Sequence, residues 1–108
     1  MLQTKEIEKK FIQIDNEIGM ASKMCLSDAS ASPQLKDSLS RLNKKSVLVK
    51  QAVQDNNPAK IVKFVDELEM LGDEAEQVCL KDTNITANVR EAVEKVHRDL
   101  SSLKRQLH

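Results

Sequence analysis

The sequence predicts an all-α protein, folded as an antiparallel up-down-up-down four-helix bundle made of two helical hairpins. The first observation is that apolar residues recur at alternating intervals of four and three along four long segments, which is the spacing of a helix that packs against other helices. The second is that short polar stretches separate these segments, and short connections favour antiparallel neighbours. The third is that the chain contains only two prolines and two glycines among 108 residues, so few positions interrupt a helix.

Helix-capping residues divide the chain into its four segments. Pro33 follows Ser32, and Pro58 follows Asn57. A proline directly after a good N-cap residue marks the first position of a helix. A later polar stretch ends at Thr86, which supplies a third N-cap. The predicted helices span about residues 4–29, 33–54, 58–81 and 87–107.

Each predicted helix carries one apolar seam of six positions. The seams run from Ile7 to Cys25, from Leu35 to Val53, from Ile61 to Cys79 and from Val89 to Leu107. Ser46 is a polar residue within the second seam. Because each of four helices has one seam, they are expected to enclose one core, and residues 1–108 are expected to form a single helical-bundle domain.

A shift of the chain by 54 residues, half its length, suggests an internal repeat of residues 1–54 and 55–108. The shift brings all the seam positions into register and pairs Cys25 with Cys79. Two heptad patterns of equal length also align by chance, so duplication and coincidence are both open. In either case we expect two hairpins that are related by an approximate two-fold axis.

Composition and charge exclude several classes of function. The 17 Lys and Arg residues balance 17 Asp and Glu residues, so no net positive field draws the molecule to nucleic acid or to an anionic membrane. Phe11 and Phe64 are the only aromatic residues, whereas ligand pockets, base-stacking surfaces and interaction hot spots rely on aromatic side chains. The opening residues lack the apolar stretch that is typical of a signal peptide, and no later run approaches the roughly 20 apolar residues of a membrane-spanning helix. We therefore expect a cytoplasmic protein with neither nucleic acid nor membrane as a partner.

The second and third helices carry opposite charges. Residues 33–54 contain five basic residues and one acidic residue, whereas residues 58–82 contain seven acidic and three basic residues. One interpretation is that the two helices attract each other along their shared edge. The alternative is that the acidic face of the third helix, or the basic cluster at residues 41–45, binds a partner of opposite charge.

Cys25 and Cys79 are the sharpest candidates for chemistry because both are expected at the same end of the bundle. As small apolar core residues they need no further explanation. A disulfide is disfavoured because their helices are diagonal, whereas the two Cα atoms must come within about 7 Å. The remaining alternative is a metal or redox site in which Asp28 and Asp82 supply carboxylate ligands.

Other constellations give weak signals. Glu94 and His97 have the Glu-x-x-His spacing of di-iron bundles, but the first half of the chain has no matching pair. We therefore expect them on the solvated helix surface. Gly19 and Gly72 lie within helical patterns, where we expect them to give neighbouring side chains room or to allow a bend. We expect no catalytic residue, no metal site and no cofactor.

The third helix has apolar residues outside its seam: Val62, Phe64, Leu71 and Val78. This wide apolar surface either reaches both neighbouring helices or leaves an exposed stripe for homodimerisation or for a partner helix. We expect these four residues to form the partner-binding region, with Phe64 and Leu71 as its main contacts.

The predicted function is a non-catalytic helical protein-interaction module, such as a scaffold, an adaptor or a regulatory subunit. Long charged helices with one simple seam resemble parts of coiled coils, so the protein is expected to self-associate as a dimer or to bind another protein. The alternative prediction is a small thiol-based metal binder or redox sensor that uses Cys25 and Cys79.

Overall fold

The computed structural model describes residues 3–82 and 84–108, and its helices agree closely with the predicted segments. The helices are α1 (Thr4–Ser27), α2 (Pro33–Gln54), α3 (Pro58–Lys81) and α4 (Ala87–Leu107). Three of the four have the predicted bounds. The first helix ends before residue 29 because Asp28 takes an extended conformation, with φ −94° and ψ 106°.

Side-chain hydrogen bonds fix the starts of α2, α3 and α4. The predicted N-cap residues Ser32, Asn57 and Thr86 each accept a hydrogen bond from the backbone N–H three residues later, at 3.2, 3.2 and 3.4 Å. Pro33 and Pro58 occupy the first turn of their helices, where a missing N–H leaves no bond unmade. Each cap stabilises its helix by about 1 kcal/mol. These predicted helix starts are confirmed.

The helices pack in a ring in which α1 contacts α2, α2 contacts α3, α3 contacts α4, and α4 contacts α1. This order places α1 diagonally opposite α3, as an up-down-up-down bundle requires. The molecule measures 41 × 20 × 18 Å. The predicted four-helix bundle is confirmed. Within the described part of the chain, none of the helices combines the length and the hydropathy that crossing a membrane requires.

The predicted seams form the core between the four helices, and every seam residue is buried. Burying a large aliphatic side chain contributes about 1.5–3 kcal/mol. Ser46, the polar seam residue, donates a hydrogen bond from its hydroxyl to a carboxylate oxygen of Asp15 at 2.6 Å. The other Asp15 oxygen lies 2.8 Å from Lys50 Nζ. The buried hydroxyl is therefore satisfied at the boundary between α1 and α2.

The two glycines have different surroundings. A Cβ atom added to Gly72 would lie 3.2 Å from Leu100 Cδ1 and 3.7 Å from the Cα of His97, whereas one added to Gly19 would meet nothing within 4 Å. Gly72 therefore gives room to the buried Leu100 side chain, in an interior that is close-packed. The expected need for room is found at Gly72 and not at Gly19.

Candidate functional site

The two cysteines are free thiols buried near one end of the bundle. Burial is the main cause that raises the pKa of Cys25, and it raises the pKa of Cys79 to about 12. The Cys25 thiol also contributes to the raised pKa of Cys79, so the two thiols interact. Metal binding and oxidation both require the thiolate. Because a raised pKa suppresses that form at neutral pH, these surroundings favour the interpretation of both residues as core residues.

The Asp28 carboxylate connects the two loops at this end of the bundle. One oxygen accepts a hydrogen bond from the Ser30 N–H of its own loop at 2.9 Å. The other accepts from the Thr86 N–H of the loop between α3 and α4, at 3.4 Å. The hydrogen bonds from Ser30 are the main cause that lowers the pKa of Asp28. Asp28 therefore serves as an acceptor for backbone donors.

Asp82 makes the same two contacts with the loops exchanged. One of its oxygens accepts from the Asn84 N–H at 3.1 Å, and the other accepts from the Ser32 N–H at 3.2 Å. Every residue in this pattern lies 54 positions from its counterpart around Asp28. The reciprocal hydrogen bonds fit the expected two-fold relation between hairpins, while the duplication itself stays a prediction.

The four residues of the alternative thiol site, two cysteines and two aspartates, lie at one end of the bundle, where the thiols are buried and the carboxylates accept hydrogen bonds from the loops. The carboxylates of Asp28 and Asp82 both raise the pKa of Cys25 by their charge, so the acids and the thiol are near one another. Both carboxylates accept backbone hydrogen bonds. Among residues 3–82 and 84–108, no group of three or more His, Cys, Asp or Glu side chains is placed to hold a metal ion.

His97 lies at the centre of a polar cluster between α3 and α4. Its Nδ1 is 2.5 Å from Glu76, and its Nε2 is 3.4 Å from Glu69 and 3.8 Å from Asp73. The predicted surface pairing with Glu94 is replaced by these contacts to α3. The available sequence signal was the spacing of the three acids, which puts them on one flank of the third helix. The hydrogen bond between His97 Nδ1 and Glu76 connects α4 to α3.

A second polar cluster lies between α1 and α4. The Glu17 side chain is 11% exposed, and its carboxylate is 3.5 Å from Lys95 Nζ. Burial is the main cause that raises the pKa of Glu17, and the nearby Asp99 carboxylate raises this pKa further. Lys95 and Asp99 are one turn apart on α4. The Glu17 carboxyl is therefore held between a cation and an anion, in surroundings that favour its protonated form.

The four predicted partner-binding residues of α3 do not form one stripe. All four are partly buried and pack against the core. Phe64, Leu71 and Val78 are seven residues apart and share one flank. This flank faces α2, since Lys45 Nζ lies 5.7 Å from the centre of the Phe64 ring. Val62 lies about 160° away from Phe64 around the helix, on the flank that faces α4.

A groove of about 340 Å³ runs between α2 and α3. Leu48 and Leu71 supply its apolar surface, and Arg41, Lys44 and Lys45 supply a cationic edge. Leu48 is 36% exposed. Sequence analysis identified Leu71 and the basic cluster separately but missed Leu48. The groove combines them because the outward flanks of α2 and α3 meet there.

Exposed residues of α3 extend this groove into a larger surface. Met70 is 61% exposed, and Glu74, one turn further along, is exposed too. Glu67 pairs with Lys45 at 2.6 Å. Neither Lys44 nor Glu74 forms an ion pair within the described part of the chain. The surface that we name the α2–α3 face consists of Arg41, Lys44, Lys45, Leu48, Glu67, Met70, Leu71 and Glu74.

Comparisons with known proteins returned no relative for this chain. No protein-family model matches it, no curated protein matches it, and no solved structure matches it. Its function is therefore inferred from the geometry and the chemistry of its own surface.

Proposed function

We propose that this protein is a non-catalytic protein-interaction module, acting as a scaffold, an adaptor or a regulatory subunit, and that the α2–α3 face is its contact surface. The observation that carries this proposal is the groove floored by Leu48 and Leu71, next to the exposed Met70 and flanked by charged residues. Protein interfaces have this composition, with an apolar centre surrounded by a polar rim.

The side chains of the α2–α3 face suit binding. Met70 is unbranched and polarizable, and such side chains adapt to the shape of a partner. Leu48 and Leu71 lie in a shallow, open groove, where contact with a partner's apolar side chain would remove apolar surface from water. The charged residues at the edges would orient the partner rather than supply most of the affinity.

Other exposed apolar residues are less concentrated. Ile12, Met20 and Leu26 are exposed on α1, but successive members are about 12 and 9 Å apart along the helix. Single exposed apolar residues are normal on protein surfaces. The α2–α3 face differs because Leu48 and Leu71 line one groove across two helices.

The net charge and the state of the two cysteines support a cytoplasmic module that binds protein rather than nucleic acid or membrane. The net charge is zero, so the counterion-release contribution that dominates binding to nucleic acid is weak. Both cysteines are free thiols, which is the form kept in reducing compartments.

Position-specific photo-crosslinking in the cells that naturally produce the protein tests this proposal. A photoreactive amino acid replaces Met70 in one variant and Met20, which is 63% exposed on α1, in the matched control. We expect covalent adducts with a second polypeptide from position 70, visible as a mass increase on denaturing gels and identified by mass spectrometry. A further Leu71→Lys substitution should remove the adducts. Equal adducts from both positions, or none from position 70, would overturn the proposal.

A further inference from the structure

We infer that the partner of the α2–α3 face is a second copy of this chain, bound in a dimer whose two-fold axis runs parallel to the helices. This inference rests on the proposed function of the same face and specifies its partner. The observation behind it is the distribution of charge across the face. Cationic residues lie on its α2 edge, and anionic residues lie on its α3 edge.

The divided charge argues against a partner of uniform charge. Arg41 is paired with Asp37, and Glu67 is paired with Lys45, so Lys44 and Glu74 supply the charge that is left for a partner. An acidic helix would be attracted by Lys44 but repelled by Glu74. A basic helix would meet the reverse arrangement. A partner that itself carries one cationic edge and one anionic edge would match both, and the face of another copy has that property.

The symmetry operation brings these opposite edges together. Rotation by 180° about an axis parallel to the helices places α2 of the second copy against α3 of the first copy, and α3 of the second copy against α2 of the first. Heights along the bundle are unchanged by this rotation. Each residue of one face therefore contacts residues of the other face that lie at the same height. The interface is self-complementary, as in most soluble dimers.

The same operation gives partners to the two charged groups that lack them. The ion pair between Lys45 and Glu67 sets the relative heights of the antiparallel α2 and α3, so Lys44 lies level with about residue 68 of α3. Glu74 lies about 9 Å further along α3, a distance that the extended lysine and glutamate side chains span together. Lys44 of each copy would therefore pair with Glu74 of the other. Leu48 and Leu71, which line the groove between α2 and α3, would lie near the axis.

Size and net charge also permit this assembly. One side of the molecule measures about 41 by 20 Å, so an interface that buries the standard ~800 Å² per partner would cover most of that side and extend beyond the α2–α3 face. Because the net charge is zero, two copies do not repel each other at long range.

The first measurement is the mass of the purified protein by light scattering, from about 1 to 100 μM, the range of moderate dimer affinities. We expect a concentration-dependent dimer. Lys44→Glu and Glu74→Lys each place like charges opposite each other at two symmetry-related contacts, so each should weaken dimerisation at least about tenfold. Lys23→Glu, an exposed charge reversal on α1, should leave the dimer unchanged.

Mixing the two variants provides the decisive test. In a heterodimer of Lys44→Glu and Glu74→Lys chains, opposite charges face each other at both contacts, so the mixture should dimerise more tightly than either variant alone. Wild-type protein that stays monomeric, or variants that are not complementary on mixing, would overturn the second-copy inference. Adducts from position 70 with a different polypeptide would then leave the proposed interaction function standing with another partner.

Discussion

Replacing Gly19 and Gly72 with alanine separates the helix preference of a residue from the packing at its position. Both glycines lie deep inside long helices, at positions that differ by one residue in the 54-residue register. Alanine is favoured over glycine in a helix interior by about 1 kcal/mol. The two substitutions therefore gain the same backbone contribution but meet different neighbours.

The expected magnitudes follow from these neighbours. At Gly19 an added Cβ meets no atom within 4 Å, so Gly19→Ala should raise the free energy of unfolding by about 1 kcal/mol. For a domain of this size that change raises Tm by about 4 °C. At Gly72 the new Cβ would lie 3.2 Å from Leu100 Cδ1, and overpacking a core costs about 1–3 kcal/mol. Gly72→Ala should therefore be neutral or destabilising by up to about 2 kcal/mol.

Urea unfolding followed by far-ultraviolet circular dichroism measures both free energies. A double-mutant cycle tests the cause, because Leu100→Ala removes the crowding methyl group. In that background Gly72→Ala should recover the stabilisation of about 1 kcal/mol. If Gly72→Ala stabilises the wild-type protein as much as Gly19→Ala does, close packing against Leu100 is not the reason for the glycine.

Two further predictions concern titratable groups. The pKa of Glu17 is raised in the folded protein by burial and by Asp99, so its contribution to stability is complete below the ordinary glutamate pKa and is lost as pH rises through the folded value. Glu17→Gln, which mimics the neutral acid, should be more stable than the wild type at pH 7 by on the order of 1 kcal/mol. It should also flatten the pH dependence of the free energy of urea unfolding, whereas Glu8→Gln on the exposed surface should leave that dependence unchanged. Equal pH profiles for the wild type and Glu17→Gln would contradict this prediction. Because the pKa of Cys79 is about 12, iodoacetamide at pH 8 should label this thiol on the order of 10³-fold more slowly in the folded protein than in the unfolded chain. Mass spectrometry measures the labelling rate. Labelling at the rate of a free thiol would refute the assignment of Cys79 to the buried core.

The helices and the core were predictable because their signals are local. A seam residue and its neighbours on the same face are three or four positions apart, and a cap residue acts on an N–H three positions away. Ser32, Asn57 and Thr86 therefore marked helix starts that the structure confirms. The end of α1 was less accurate, since Asp28 leaves the helix and accepts from a loop 58 residues away.

The polar clusters were not predictable because they depend on how neighbouring helices are rotated. His97 was assigned to a surface pair within its own helix, yet its contacts are to acids of α3. Glu17 gave no signal in the sequence because its main partners, Lys95 and Asp99, lie on the last helix. Spacing along one helix identifies a flank but does not say which side chains the adjacent helix presents to it.

The sequence by itself determined the number of helices, their bounds apart from the end of α1, and most of the core, because the repeat of apolar residues and the caps act over a few positions of one chain segment. Only the tertiary structure decided which candidate contact residues lie together. It placed Phe64, Leu71 and Val78 on the flank facing α2, and Val62 on the flank facing α4. It also joined Leu48 of α2 to Leu71, since a surface shared by two helices exists only once their packing fixes which flanks meet.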